Sequence, residues 1–140
     1  KQRENKMLKM EFDGSCREKP GGPGGYGVVI KKDGKIIDEL VGPLKNSENL
    51  TNNRVEYLAL IIGLKYIKNK YPEESVICKG DSKLVIQQIQ GHLSVKSNGL
   101  FDLWEKASKI ANNMNVSFEW INRKENKRAD ELSRRKIPID

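Results

Sequence analysis

The sequence predicts an α/β fold in which a five-stranded mixed sheet is flanked by helices. Three observations support this prediction. Strand-like runs flank a short Asp33-Gly34 turn, strand and helix patterns alternate after residue 70, and the length of 140 residues suits one domain. Three antiparallel strands followed by strand–helix–strand crossovers would place two further strands parallel in the same sheet.

The first third of the chain predicts an antiparallel meander. Leu8 to Phe12 has the pattern of a strand, and the Gly- and Pro-rich turn from Lys19 to Gly27 leads to a second strand, Tyr26 to Ile30. A third strand, from Lys35 to about Val41, follows the Asp-Gly turn, which is typical of a short β-hairpin.

The rest of the chain alternates between helices and strands. Thr51, Asn52 and Asn53 offer N-caps for a long helix, roughly Arg54 to Lys70, whose apolar residues nearly encircle it and predict substantial burial. The elements predicted after it are a strand Ser75–Lys79, helices Asp81–Gln90 and Leu100–Ala111, a strand Val116–Ile121 and a helix Asn126–Arg135.

Composition limits the classes of function. We expect one domain over residues 1–140, with flexible ends at about 1–7 and 136–140. No apolar run approaches the length of a membrane span, so we expect no membrane partner. Twenty-six Lys and Arg against nineteen Asp and Glu give a net charge of +7, which favours a polyanionic partner such as nucleic acid.

The cysteine and histidine counts exclude other classes of site. Cys16 and Cys78 are too few for a disulfide framework, and we expect buried free thiols in a cytoplasmic, reducing setting. The single histidine, His92, excludes a His-rich metal site and makes a Ser–His–Asp triad improbable.

Four acidic residues stand where strands end or helices begin. Glu56 lies in the first turn or so of the most apolar helix, Asp13 ends the first strand, Asp81 directly follows the fourth strand, and Asp130 lies in the first turns of the last helix. Each has an ordinary structural explanation, such as a helix N-cap for Asp81 or a turn for Asp13. Together, at one end of a mixed sheet, they predict an all-oxygen site for hard cations that would support phosphoryl chemistry.

The segments "FDGSCREKPGGPGGYGVVI", "TNNRVEYLALIIGL", "GDSKLVIQQIQG" and "NRKENKRADELSR" resemble, in order, the four signature segments of the type 1 ribonuclease H family. The resemblance covers about residues 9–135. It implies a ribonuclease H-like fold and an endonuclease that hydrolyses the RNA strand of RNA–DNA hybrids, leaving 5′-phosphate and 3′-hydroxyl ends. It also implies that Asp13, Glu56, Asp81 and Asp130 are catalytic residues that bind two Mg²⁺ ions, with Mn²⁺ as a possible substitute.

The same resemblance, with the chemistry of RNA, suggests substrate contacts. Thr51 and Asn52 would bind a DNA-strand phosphate, and Asn53 and Cys16 would lie beside the minor groove. Small polar groups at Asn53, Gln87, Ser15 and Cys16 could contact the 2′-hydroxyls that distinguish RNA from DNA. The basic candidates for phosphate contacts are Lys83, Lys96, Arg123, Lys124 and Arg128.

The chain departs from the family pattern in two places. Residues 121–129 hold no histidine, whereas many members carry one shortly before the last aspartate, and Arg123, Lys124 or Glu125 could partly replace it. The stretch from Gly91 to Leu100 is too short for the basic helix and loop of some members. We expect His92 to be a surface residue.

Other interpretations of the sequence remain open at this stage. The chain could be the ribonuclease H domain of a larger reverse transcriptase-type polyprotein, or a non-catalytic nucleic-acid-binding domain of the same fold. A junction resolvase or integrase on a related fold is a third class, although these lack the PGGYG and TNN segments. We expect a monomer that binds RNA–DNA hybrid.

Overall fold

The computed structural model describes residues 7–16, 24–45 and 50–135. Its five strands are β1 (Leu8–Cys16), β2 (Gly24–Lys32), β3 (Lys35–Leu44), β4 (Val76–Gly80) and β5 (Val116–Trp120). The helices among these residues are α1 (Asn52–Lys70), α2 (Lys83–Ile89), α3 (Asn98–Ala111) and α4 (Lys127–Ser133), with a short 3₁₀ helix at Arg123–Glu125. The expected flexible ends, apart from Met7, and most of the predicted turn from Lys19 lie outside the described residues.

The strands form one mixed sheet in the order β3-β2-β1-β4-β5, which confirms the predicted fold class. β1 pairs antiparallel with β2 and parallel with β4, and β5 pairs parallel with β4. The β2–β3 hairpin turns at Asp33 and Gly34, whose φ angles of 53° and 77° are those of a two-residue turn that matches the twist of the strands. β1 therefore lies at the centre of the sheet, with β4 beside it.

The main core lies between the sheet and three helices. Leu8, Met10 and Phe12 alternate along β1 and are buried on the face that packs against α1. Residues of α2 and α3 complete this core, including Val85, Ile86, Leu100 and Leu103. The predicted burial of the long helix is confirmed, because nine of its residues are buried.

The opposite face of the sheet is covered by α4. Ala129 and Leu132 of this helix pack on Val29 of β2. Because residues along a strand alternate between faces, Asp13 lies on the face that α4 covers, where Ser133 contacts it. Among the described residues, no helix combines the length and the apolar character needed to cross a bilayer.

Several predicted boundaries were wrong, with consequences for the acidic residues. β1 continues through Asp13 to Cys16, so Asp13 lies within a paired strand and not in a turn. α1 begins at Asn52 with Thr51 as its N-cap, which places Glu56 in the second helical turn. Ser82 caps α2, so Asp81 precedes the helix instead of capping it.

The two cysteines are both free, as predicted, but only one is fully buried. Cys78 lies in the main core, whereas Cys16 at the end of β1 is half-buried. His92 is exposed in the loop after α2, which agrees with the expectation of a surface residue.

Candidate metal centre

Asp13 is held on the central strand, under α4. It is 4% exposed and pairs in register with Gly27 of β2. The hydroxyl of Ser133, near the end of α4, donates a hydrogen bond of 2.8 Å to its Oδ2. A strand residue held on both sides has little freedom, so the position of this carboxylate is set by the sheet itself.

Glu56 reaches the same place from the other layer. The backbone N–H of Gly14 donates a 2.9 Å hydrogen bond to Glu56 Oε1, which joins β1 to α1. Only glycine fits at position 14, because a Cβ there would lie 2.1 Å from the carbonyl oxygen of Val55. This close approach of strand and helix brings Glu56 beside Asp13.

Asp81 arrives from the neighbouring parallel strand. It follows β4 directly, and Asn126 Nδ2 donates a 3.1 Å hydrogen bond to its Oδ2. The same amide nitrogen donates to the carbonyl oxygen of Phe12 at 2.9 Å, so one fully buried side chain joins β1 to Asp81. Trp120 Nε1 donates to the Asp81 carbonyl oxygen at 3.1 Å.

Asp130 lies in the first turn of α4, at the edge of this group. Arg134 Nε donates a 2.9 Å hydrogen bond to Asp130 Oδ1 one helical turn later. Burial alone would raise the pKa of Asp130, but the Arg134 hydrogen bond and the Asp13 contact leave it below its ordinary value. Counting partners within residues 7–16, 24–45 and 50–135, Asp130 is therefore the acid of the four that has a cationic hydrogen-bond partner.

The other three acids form a compact cluster. Asp13, Glu56 and Asp81 each place one carboxylate oxygen within 4.8 Å of the others. Burial, followed by the charge of Asp81, raises the pKa of Asp13 to about 7. Burial and the charge of Asp13 hold the pKa of Glu56 well above its ordinary range, although the Gly14 N–H opposes this. Like charges at this distance repel, so the cluster stores unfavourable electrostatic energy.

The donor set fits a hard divalent cation. The group offers only carboxylate oxygens, which Mg²⁺ and Mn²⁺ prefer, and a cation would offset the repulsion between them. A cavity of about 260 Å³ opens over the site and is lined by Asp13, Gly14, Ser15, Cys16, Asn52, Glu56, Arg123, Asp130 and Arg134. The arrangement can hold a metal ion beside a surface open to a large ligand.

The predicted substrate contacts fall into two groups. Ser15, Cys16, Asn52 and Arg123 line the cavity. Thr51 caps α1 through the N–H of Arg54, Asn53 is half-buried, and Gln87 and Lys124 are exposed outside the lining residues. All of these assignments stay predictions.

Two of the predicted phosphate contacts have partners within the chain. The Lys83 ammonium lies 4.6 Å from the centroid of the ring of Trp120, whose Nε1 donates to the Asp81 carbonyl oxygen. Arg128 makes two hydrogen bonds to Glu39 of β3, of 2.6 and 2.9 Å, and one to Glu131, and it is not among the residues that line the cavity. Arg128 is therefore a poor candidate for a phosphate contact.

Among the described residues, three side chains that donate to the carboxylates of these acids were not predicted from the sequence. They are Asn126, Ser133 and Arg134, which contact Asp81, Asp13 and Asp130 respectively. The Asp130–Arg134 spacing of four residues is the helical spacing for an ion pair and was available as a signal. Asn126 and Ser133 lie in the fourth signature segment, "NRKENKRADELSR", but their contacts span more than 40 residues of chain, so the sequence did not show which acids they touch.

Comparisons with known proteins agree with the geometry. Residues 11–136 match the family model described as reverse transcriptase-like. The chain is 35% identical to ribonuclease H of Desulforamulus reducens, over 91% of this chain and 86% of the relative. Its fold matches RNase H1 of the halophilic archaeon Halobacterium salinarum with a TM-score of 0.82 and 29% identity, over 91% of this chain and 94% of that one. It also matches LC11-RNase H1, solved in complex with RNA/DNA hybrid, with a TM-score of 0.80 and 32% identity, over 90% and 93% of the two chains.

Proposed function

The chain belongs to the type 1 ribonuclease H family, and from this premise we propose that it hydrolyses the RNA strand of RNA–DNA hybrids with two divalent metal ions. The observation that carries the proposal is the cluster of Asp13, Glu56 and Asp81, whose oxygens lie within 4.8 Å of one another. The hybrid bound by LC11-RNase H1 supports the choice of substrate.

The four acids would bind the two metal ions in different combinations. Asp13, within β1, and Asp81, directly after the neighbouring parallel strand β4, would be shared between the ions. Glu56 would complete one site, and Asp130 would complete the other. When bound, the metal ions supply an activated water and stabilise the charge on the leaving oxygen. Mg²⁺ is the ion we propose, with Mn²⁺ able to replace it.

The rest of the site would position the scissile phosphate. Arg123 and Arg134 line the cavity beside the acids and can offset phosphate charge. Water adds to phosphorus while the bond from phosphorus to the 3′ oxygen breaks, so the products carry a 5′-phosphate and a 3′-hydroxyl. No side chain of the protein forms a covalent intermediate.

Selection for RNA in the cut strand would come from contacts to 2′-hydroxyls. Glu56 and the backbone and side chains at Ser15 and Cys16 border the cavity from the side of β1 and α1. These small groups suit the wide, shallow minor groove in which a hybrid displays its 2′-hydroxyls. Asn52 lies at the start of α1, where it and Thr51 would hold a phosphate of the DNA strand.

A cleavage panel tests the proposal. The protein is incubated with Mg²⁺ and end-labelled hybrid, duplex RNA, single-stranded RNA or duplex DNA, and the product ends are mapped. We expect cleavage of the RNA strand of the hybrid alone, abolished by EDTA.

Matched variants connect the activity to the cluster. Asp81→Asn should abolish cleavage while hybrid binding survives. Asp33→Asn is the control, because Asp33 lies in the hairpin turn at the other end of the sheet, where asparagine tolerates its positive φ. Near-normal cleavage rates in Asp81→Asn would show that the cluster is not required for the reaction. Cleavage of DNA alone would indicate a different kind of nuclease.

A further inference from the structure

Arg134 lies against the one acid that is not part of the three-carboxylate cluster. It caps the C-terminal end of α4, and its Nε donates a 2.9 Å hydrogen bond to Asp130 Oδ1. Its guanidinium also interacts with the charges of Asp13 and Asp81, and it lines the same cavity. A permanent positive charge therefore faces the side of the cluster where Asp130 stands.

The guanidinium of Arg134 opposes cation binding at Asp130. A metal ion and a guanidinium compete for the same carboxylate, because both bind its oxygens and both carry positive charge. Asp13, Glu56 and Asp81 have no such partner at short range among the described residues, since Ser133, Gly14 and Asn126 contact them with neutral donors. The two halves of the site thus differ in electrostatic environment.

We propose that Arg134 is a positioning residue that occupies Asp130 in the free protein and weakens binding of the second divalent ion there. The inference rests on the proposed two-metal function and goes beyond it, because it names Arg134 as the cause of a lower affinity for the second ion. An ion at the three-carboxylate cluster would bind without displacing any cation. An ion at Asp130 would bind against the charge of Arg134, whose Nε already holds Oδ1 of the same carboxylate.

An ordinary surface ion pair would have a different effect. The side chains of Arg134 and Asp130 are 59% and 24% exposed, so the pair alone contributes little to folding. If it were only structural, its removal would change stability slightly and leave metal affinity unchanged. Metal affinity in the absence of substrate therefore separates the two interpretations.

The test measures Mn²⁺ binding to the substrate-free protein by the electron paramagnetic resonance signal of unbound Mn²⁺. The variants are Arg134→Gln, which removes the charge, and Arg134→Lys, which keeps it. Arg135→Gln is the matched control, because Arg135 lies one residue further along and has a carboxylate oxygen of Glu131 at 3.8 Å.

We expect Arg134→Gln to tighten the weaker Mn²⁺ site about fivefold, the equivalent of one partly exposed ion pair. The tighter site and Arg135→Gln should stay within about twofold of the wild type, and Arg134→Lys should resemble the wild type. The Mg²⁺ concentration for half-maximal hybrid cleavage should fall in Arg134→Gln by a similar factor. Unchanged or weaker Mn²⁺ binding in Arg134→Gln would overturn the inference, and a fivefold gain in Arg135→Gln would do the same.

The outcomes also separate this inference from the proposed function. A wild-type protein that binds two Mn²⁺ ions and cleaves hybrid, with affinities insensitive to Arg134, contradicts only the role of Arg134. A wild-type protein that neither binds Mn²⁺ nor cleaves hybrid contradicts both.

Discussion

Removing the charge of Asp81 should stabilise the metal-free protein, although the residue belongs to the proposed active site. Two unit charges 4.8 Å apart repel by about 3 kcal/mol at an effective dielectric constant of about 20. Asp81 is half-buried, so solvent screens part of this energy. Asparagine keeps an oxygen that can accept the Asn126 hydrogen bond. We therefore expect Asp81→Asn to raise the free energy of unfolding by about 1–2 kcal/mol at pH 8.

The gain should depend on pH in a direction set by Asp13. Its pKa is raised from 3.8 to about 7 in the folded protein, so the folded state binds the proton more tightly than the unfolded state. The stability from this proton is fully present below about pH 4 and is lost as the pH rises through about 7. At pH 5 Asp13 is protonated in the folded protein, and the repulsion that Asp81→Asn relieves has largely gone.

Thermal or urea unfolding in EDTA at pH 8 and pH 5 measures both effects. A gain of this size corresponds to an increase in Tm of roughly 3–6 °C for a chain of this length. Asp33→Asn, which removes a charge far from the cluster, should leave Tm unchanged within about 1 °C. Repulsion within the cluster would not explain a variant that is no more stable than the wild type at pH 8, or one whose gain is as large at pH 5.

Three further predictions concern the same centre. Mg²⁺ should raise the Tm of the wild type at pH 8, and it should raise that of Asp81→Asn less; equal shifts in differential scanning fluorimetry would contradict a metal site at this cluster. Gly14→Ala should cost more than about 3 kcal/mol in urea unfolding, because its Cβ would overlap the Val55 carbonyl, and a cost below about 1 kcal/mol would show that strand and helix separate easily. Asn126→Ala should cost about 2–3 kcal/mol, because it leaves the Phe12 carbonyl without its amide donor, and should slow hybrid cleavage; an unchanged rate would mean that Asp81 is positioned without it.

The gathering of the acids was predictable from chain order. A parallel crossover between the first and fourth strands places Asp13 and Asp81 at one end of the sheet, and the structure has this pairing. Glu56 was predicted because a carboxylate in so apolar a helix is unfavourable unless it is paired or functional. In the structure Glu56 is buried and accepts a hydrogen bond from the Gly14 N–H.

The environment of the acids was less predictable. Asn126 stands in a polar stretch that is typical of an exposed loop, yet its side chain is fully buried because the Phe12 carbonyl of β1 lies within reach. Arg134 has the spacing of an ordinary helical ion pair, and only the fold shows that its partner faces the cluster. Strand and helix ends were misplaced by a few residues because the pairing of Asp13 with β2 and the capping by Thr51 and Ser82 decide them.

Anomalous diffraction from crystals grown with Mn²⁺ and a hybrid shows whether these acids form a centre for two metal ions. Crystals of the Asp81→Asn protein, in which the hybrid should stay uncleaved, give the comparison. We expect two anomalous peaks about 4 Å apart in the wild-type protein, ligated by Asp13, Glu56, Asp81 and Asp130, and loss of at least one peak in the variant. Peaks elsewhere on the surface, or an empty cluster at saturating Mn²⁺, would contradict it.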